Sequence, residues 1–72
     1  MTRDEHLAWA KARAAEHLNA GEAAAAAASL VSDINKHDEL RGQFTPLAVI
    51  RAGTIAALKG PASVRDWIAS FK

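Results

Sequence analysis

Asp33 and His37 stand four residues apart, a spacing that brings both side chains to one face of a helix. A carboxylate that orients an imidazole is a component of many catalytic and metal sites. The plainer reading is a histidine at a helix C-terminus, favoured by the dipole and hydrogen-bonded to a neighbour. His6 and His17 fall near the same side of the first helical segment, yet eleven residues place them ~16 Å apart along its axis. One helix cannot bring both to one metal. The sequence has no cysteine, no His-Glu-x-x-His and no acidic calcium loop, so neither metal nor cofactor is expected. Ser29, Ser32, Ser63 and Ser70 lie in helical segments without a nucleophile elbow, and no glycine-rich loop is arranged to cradle phosphate. Four short helices offer little volume for a closed pocket within one subunit. The chain reads as a non-enzyme.

Binding is the better-supported chemistry. Helical phasing from Leu7 puts Trp9 on the face that otherwise carries Glu5, Arg13 and Glu16. A large aromatic among charges usually has a partner: its own chain, a second copy, or a ligand that stacks on it. Arg13, one turn later, can cover the ring, but an exposed cation–π contact is worth only ~0.5–1 kcal/mol. Arg51 interrupts an otherwise apolar third helix, with Thr54 beside it at the next turn and Gly53 permitting close approach of another helix. It either forms a structural salt bridge, snorkels at the surface, or lines an interface that takes an anionic ligand. Trp9, Arg13, Arg51 and Thr54 are the binding candidates, and Asp33 and His37 are secondary ones.

These residues must be positioned by helices. Thr2-x-x-Glu5 is a capping box that opens a first helix ending near Gly21, with Leu7, Ala10, Ala14 and Leu18 as its inward stripe. A second helix is expected from about Glu22 to Lys36, with Ala23, Ala27, Leu30 and Ile34 on one face. Its alanine tract, Ala23 to Ala28, suits close helix packing. The charged stretch from His37 to Gln43 contains Gly42 and reads as a loop. Thr45-Pro46 supplies an N-cap and first-turn proline for a third helix that runs to about Lys59 and is apolar almost all round. Gly60-Pro61 then opens a short fourth helix with Val64, Trp67, Ile68 and Phe71 on one face. The expected fold is a single all-α domain, a compact four-helix unit of two antiparallel hairpins over residues 1–72. Leu18, Leu30, Ile34, Leu47, Leu58, Trp67 and Phe71 are expected in its core.

A chain of 72 residues buries only roughly 60% of the surface its unfolded form exposes. With no cysteine for disulfides, oligomerisation is the natural supplement, and a dimer is the default. The net charge of +1 is spread over interleaved bases and acids, which speaks against an electrostatically driven nucleic-acid binder. The charged start of the chain does not read as a signal peptide, and no apolar run approaches the ~20 residues of a membrane span. A cytoplasmic protein without membrane attachment is expected.

Three stretches, Thr2-Arg3-Asp4-Glu5-His6-Leu7-Ala8-Trp9-Ala10-Lys11, Ser32-Asp33-Ile34-Asn35-Lys36-His37 and Trp67-Ile68-Ala69-Ser70-Phe71, resemble a family of small uncharacterised tailed-bacteriophage proteins. The alanine tract and the segment from Arg41 to Gly53 depart from that pattern. The resemblance implies no activity; it implies a small accessory protein working inside an infected bacterium. Two functions fit the residues. One is a binding protein that blocks or sequesters a host component, with a role in counter-defence. The other is an oligomeric sponge whose intersubunit pockets hold a nucleotide signal through Trp9, Arg13 and Arg51.

Overall fold

The computed structural model describes residues 2–44 and 46–72. They form five helices and, among the described residues, no strand: α1 (Arg3–Asn19), α2 (Ala23–Asn35), α3 (Asp38–Gln43), α4 (Pro46–Lys59) and α5 (Pro61–Ala69).

Both ends of α1 follow from sequence. The Glu5 amide donates to the Thr2 hydroxyl at 3.2 Å, and the Thr2 amide donates to the Glu5 carboxylate at 2.9 Å, so two otherwise orphaned donors are satisfied. At the other end Gly21 adopts φ +82°, which an L side chain rarely tolerates. The turn lets the Glu22 amide reach the His17 carbonyl and the Gly21 amide reach that of Leu18, each at 3.0 Å. This is the paired closure of a Schellman motif. Gly60, at φ +120°, makes the equivalent break between α4 and α5, and Pro61 begins α5 where its missing N–H costs nothing.

Helix α2 is central and packs against all four others. Its small residues explain how, because Ala26 and Ala27 are buried and keep the neighbouring backbones close. The stripe Leu7, Ala10, Ala14 and Leu18 of α1 is buried against it, joined by Leu30, Ile34, Val49, Ala56, Val64, Ile68 and Phe71. Gly53 sits where α4 meets its neighbours. A Cβ there would stand 2.9 Å from the indole ring of Trp67 and 3.6 Å from the Ala27 Cβ. The expected close approach at Gly53 is therefore made within the chain, by α5 and α2.

The structure corrects several expectations. The stretch after His37 is not a loop: Asp38–Gln43 is a short helix, so the described residues form five helices rather than four. Leu40 anchors it in full burial, Asp38 and Glu39 lie at its positive end, and Arg41 pairs with Asp38 at 2.6 Å. Its outer end is tied down by Arg3, which donates to the Gln43 side chain and the Lys72 carbonyl. Leu47 and Leu58 are not core residues but 65% and 84% exposed. They lie on the side of α4 opposite Val49, Gly53 and Ala56, the residues this helix buries. Trp67 is only partly buried, its ring lying edge-on to Phe71 at 5.1 Å. The second helix is slightly shorter than expected, with Glu22 and Lys36 as flanking residues. Thr45, expected to cap the helix that begins at Pro46, lies outside the described residues.

Candidate functional site

The candidate residues separate onto two surfaces. Trp9, Arg13, Asp33 and His37 meet where α1 crosses the end of α2, whereas Arg51 and Thr54 lie on α4.

Asp33 organises the first surface. Its residue is 1% exposed, the only buried charge among the described residues, and three groups from two helices satisfy it. Arg13 Nε stands 3.0 Å from Oδ2, Lys36 Nζ stands 3.2 Å from Oδ1, and the Ser29 hydroxyl lies 3.5 Å from Oδ2. A buried carboxylate requires such pairing, since desolvation without it is costly. The arrangement comes from helical geometry: Ser29 lies one turn before Asp33 on α2, Lys36 caps that helix three residues after it, and Arg13 reaches across from α1. Arg13 does double service, its guanidinium carbon lying 4.9 Å from the centre of the Trp9 ring. Trp9 is half-buried, packed on the core and flanked on its other side by His6 at 5.1 Å. The chain thus covers much of this tryptophan itself.

The expected meeting of Asp33 and His37 is replaced by other contacts. His37 is the residue before α3, and its ring stacks at a tilt on His6, with centres 5.1 Å apart. His6 Nε2 lies 2.6 Å from the Asp33 carbonyl; a carbonyl only accepts, so this nitrogen carries the proton. His37 Nδ1 is buried without a hydrogen-bond partner. The Asp33 side chain therefore works as a structural anchor for Arg13 and Lys36 and not as an orienter of His37. Among the described residues, no group of three or more metal-ligating side chains converges.

The second surface is the outer side of α4. Leu47, Ile50, Ile55 and Leu58 are all substantially exposed, Ile50 by 47% and Ile55 by 48%. Arg51 stands among them, exposed, with no carboxylate within 4 Å among the described residues. The Thr54 hydroxyl donates back to the Ile50 carbonyl at 2.9 Å, leaving its lone pairs as acceptors. Between this ridge and α2 runs an open groove of about 730 Å³. Ala24, Ala27, Ala28 and Val31 line one side and Ile50, Ala57 and Leu58 the other, with Ser32, Asn35 and Thr54 as polar points. No charged side chain lines it. The groove needs two helices to form it, so no single residue signals it, although the spacing Leu47, Ile50, Thr54, Leu58 marks one helical face.

No family model matches the chain, and neither curated proteins nor solved structures show a significant match. Among the described residues, no helix is long and apolar enough to cross a membrane.

Proposed function

We propose that this chain is a small non-enzymatic accessory protein of tailed-phage type that binds a host component in the bacterial cytoplasm and blocks or sequesters it, in counter-defence. It works as a homo-oligomer, by default a dimer, with its four longer helices arranged as two antiparallel hairpins. The observation that carries this reading is the outer face of α4, where four large aliphatic side chains remain exposed beside an uncharged groove. Several large aliphatic side chains exposed on one helix of a small chain are the kind of surface that interaction sites use. The α1 surface, where half-buried Trp9 projects between His6 and Arg13, is left for the host partner. The groups best suited to chemistry are engaged internally: Asp33 holds Arg13 and Lys36, and His6 donates to a backbone carbonyl.

A second reading is an oligomeric sponge for a nucleotide signal. It is favoured by Arg51, an exposed cation with no carboxylate within 4 Å among the described residues, one turn before Thr54; Thr54, though not Arg51, lines the groove, whose volume falls within the ~300–1,000 Å³ of small-molecule pockets. Native mass spectrometry of the tagged chain isolated from infected cells separates the two. Stoichiometric retention of a host protein supports the first reading. Retention of a nucleotide, lost in Arg51→Ala, supports the second. A chain that carries neither contradicts both.

A further inference from the structure

We infer that α3 and residues 70–72 form a single strap, latched by Arg3, which opens as a unit while α1, α2, α4 and α5 stay folded.

Little holds either piece by itself. Helix α3 has six residues and one buried side chain, Leu40, far short of the ~12–15 residues at which an isolated helix becomes even marginal. Residues 70–72 lie beyond α5 and bury one side chain, Phe71. By contrast α1 buries Leu7, Ala10, Ala14 and Leu18, and α2 buries Ala26, Ala27, Leu30, Asp33 and Ile34.

Each piece is completed by the other. The Phe44 ring, at the end of α3, lies 4.9 Å from the Phe71 ring at a tilt, and the Gln43 side-chain nitrogen donates to the Lys72 carbonyl at 3.3 Å. Arg3 joins the two from α1. Its Nε donates to Gln43 Oε1 at 2.9 Å, and its Nη2 donates both to that oxygen and to the Lys72 carbonyl, the latter at 2.6 Å. A guanidinium can do this because its donors form a rigid fork and its charge strengthens each bond. Lys11, also on α1, donates to the Phe71 carbonyl at 2.8 Å.

Opening the strap leaves the other packing in place. Helices α1 and α4 both pack directly on α2, and α5 packs on α4, so the stretch between α2 and α4 can loosen into a loop without separating them. Contiguous units with few buried contacts are where local opening concentrates. The motion bares Leu40 and Phe71, which are 0% and 4% exposed in the closed form. It also frees His37, which immediately precedes α3 and whose ring lies on His6, so the strap borders the Trp9 surface.

Amide hydrogen exchange on the full chain, read residue by residue by NMR, tests the inference. The amides of Arg41, Phe44 and Phe71 donate to the carbonyls of His37, Leu40 and Ile68. In the wild type these three should open with one common equilibrium constant, about tenfold or more above that of Leu30 and Ile34 in α2. Arg3→Ala should raise all three by about tenfold and leave Leu30 and Ile34 unchanged. Phe44→Ala, which alters the α3 side only, should raise Phe71 as well. A rise confined to Arg41 and Phe44 in either variant shows two independent segments and overturns the strap. No rise with Arg3→Ala overturns the latch. An equal rise at Leu30 and Ile34 shows that the chain opens only globally, and overturns the inference as a whole.

Discussion

Arg13 Nε lies 3.0 Å from the Asp33 Oδ2, so an exposed position on α1 is bound to a fully buried one on α2. The contact fixes how the two helices meet and holds the guanidinium against the Trp9 ring. Removing one partner of a fully buried pair costs about 3–5 kcal/mol. The Arg13 side chain is half-exposed and Lys36 remains on the other oxygen. Arg13→Ala should therefore cost about 1–2 kcal/mol in chemical denaturation, once solvent screening is allowed for. In an Asp33→Asn background the same substitution should cost clearly less. An unchanged cost there means that Arg13 stabilises the fold only by covering Trp9.

Gly53→Ala sets two effects against each other. Alanine is favoured over glycine within a helix by ~1 kcal/mol, but its Cβ would stand 2.9 Å from two atoms of the Trp67 ring. That ring is held in turn by Phe71, so relief requires α5 to shift, at a cost of about 1–3 kcal/mol. The substitution should destabilise the wild-type chain. In a Trp67→Leu background, where the ring is gone, it should become neutral or stabilising. If its effect has the same destabilising sign and size in both backgrounds, the clash at Trp67 is not the cause.

The capping box gives a pH dependence of known sign. The backbone and hydroxyl hydrogen bonds with Thr2 hold the Glu5 carboxyl below its ordinary range. A group whose folded pKa is depressed contributes stability above its unfolded pKa and loses it as the pH falls through the folded value. The melting-temperature difference between wild type and Glu5→Ala should therefore be full at neutral pH and shrink as the pH drops below ~4. A difference that is constant from neutral pH to about pH 3 would argue that the carboxylate charge is not involved.

Partner capture should depend on α1 more than on the histidine pair. Trp9 combines a large apolar ring with partial exposure, the character of an interface anchor, whereas His37 is turned inward toward His6. With each variant shown to be folded, Trp9→Ala should abolish retention of the bound component in native mass spectrometry and His37→Ala should keep it. The reverse pattern would transfer the binding site to the junction of α2 and α3.

Much of the architecture is decided by short-range physics, and so could be read from the sequence. Thr2 and Glu5 cap α1 because their side chains reach backbone groups only three residues away. Gly21 and Gly60 break the chain because a positive φ is nearly free for glycine. Leu7, Ala10, Ala14 and Leu18 are buried because their spacing puts them on one side of any helix they form. Tertiary structure decided what depends on which faces meet. Helix α3 has one apolar anchor, Leu40, and six residues are too few to show a period; its place comes from burial of that leucine and from Arg3 holding Gln43. Leu47 and Leu58 are as hydrophobic as any core leucine, but α2 and α5 pack on the other sides of α4 and leave them in solvent. Asp33 could have met His37 one turn away, and instead α1 delivers Arg13 to it from twenty residues earlier, because a buried carboxylate is stabilised far more by a full charge than by an imidazole turned toward His6.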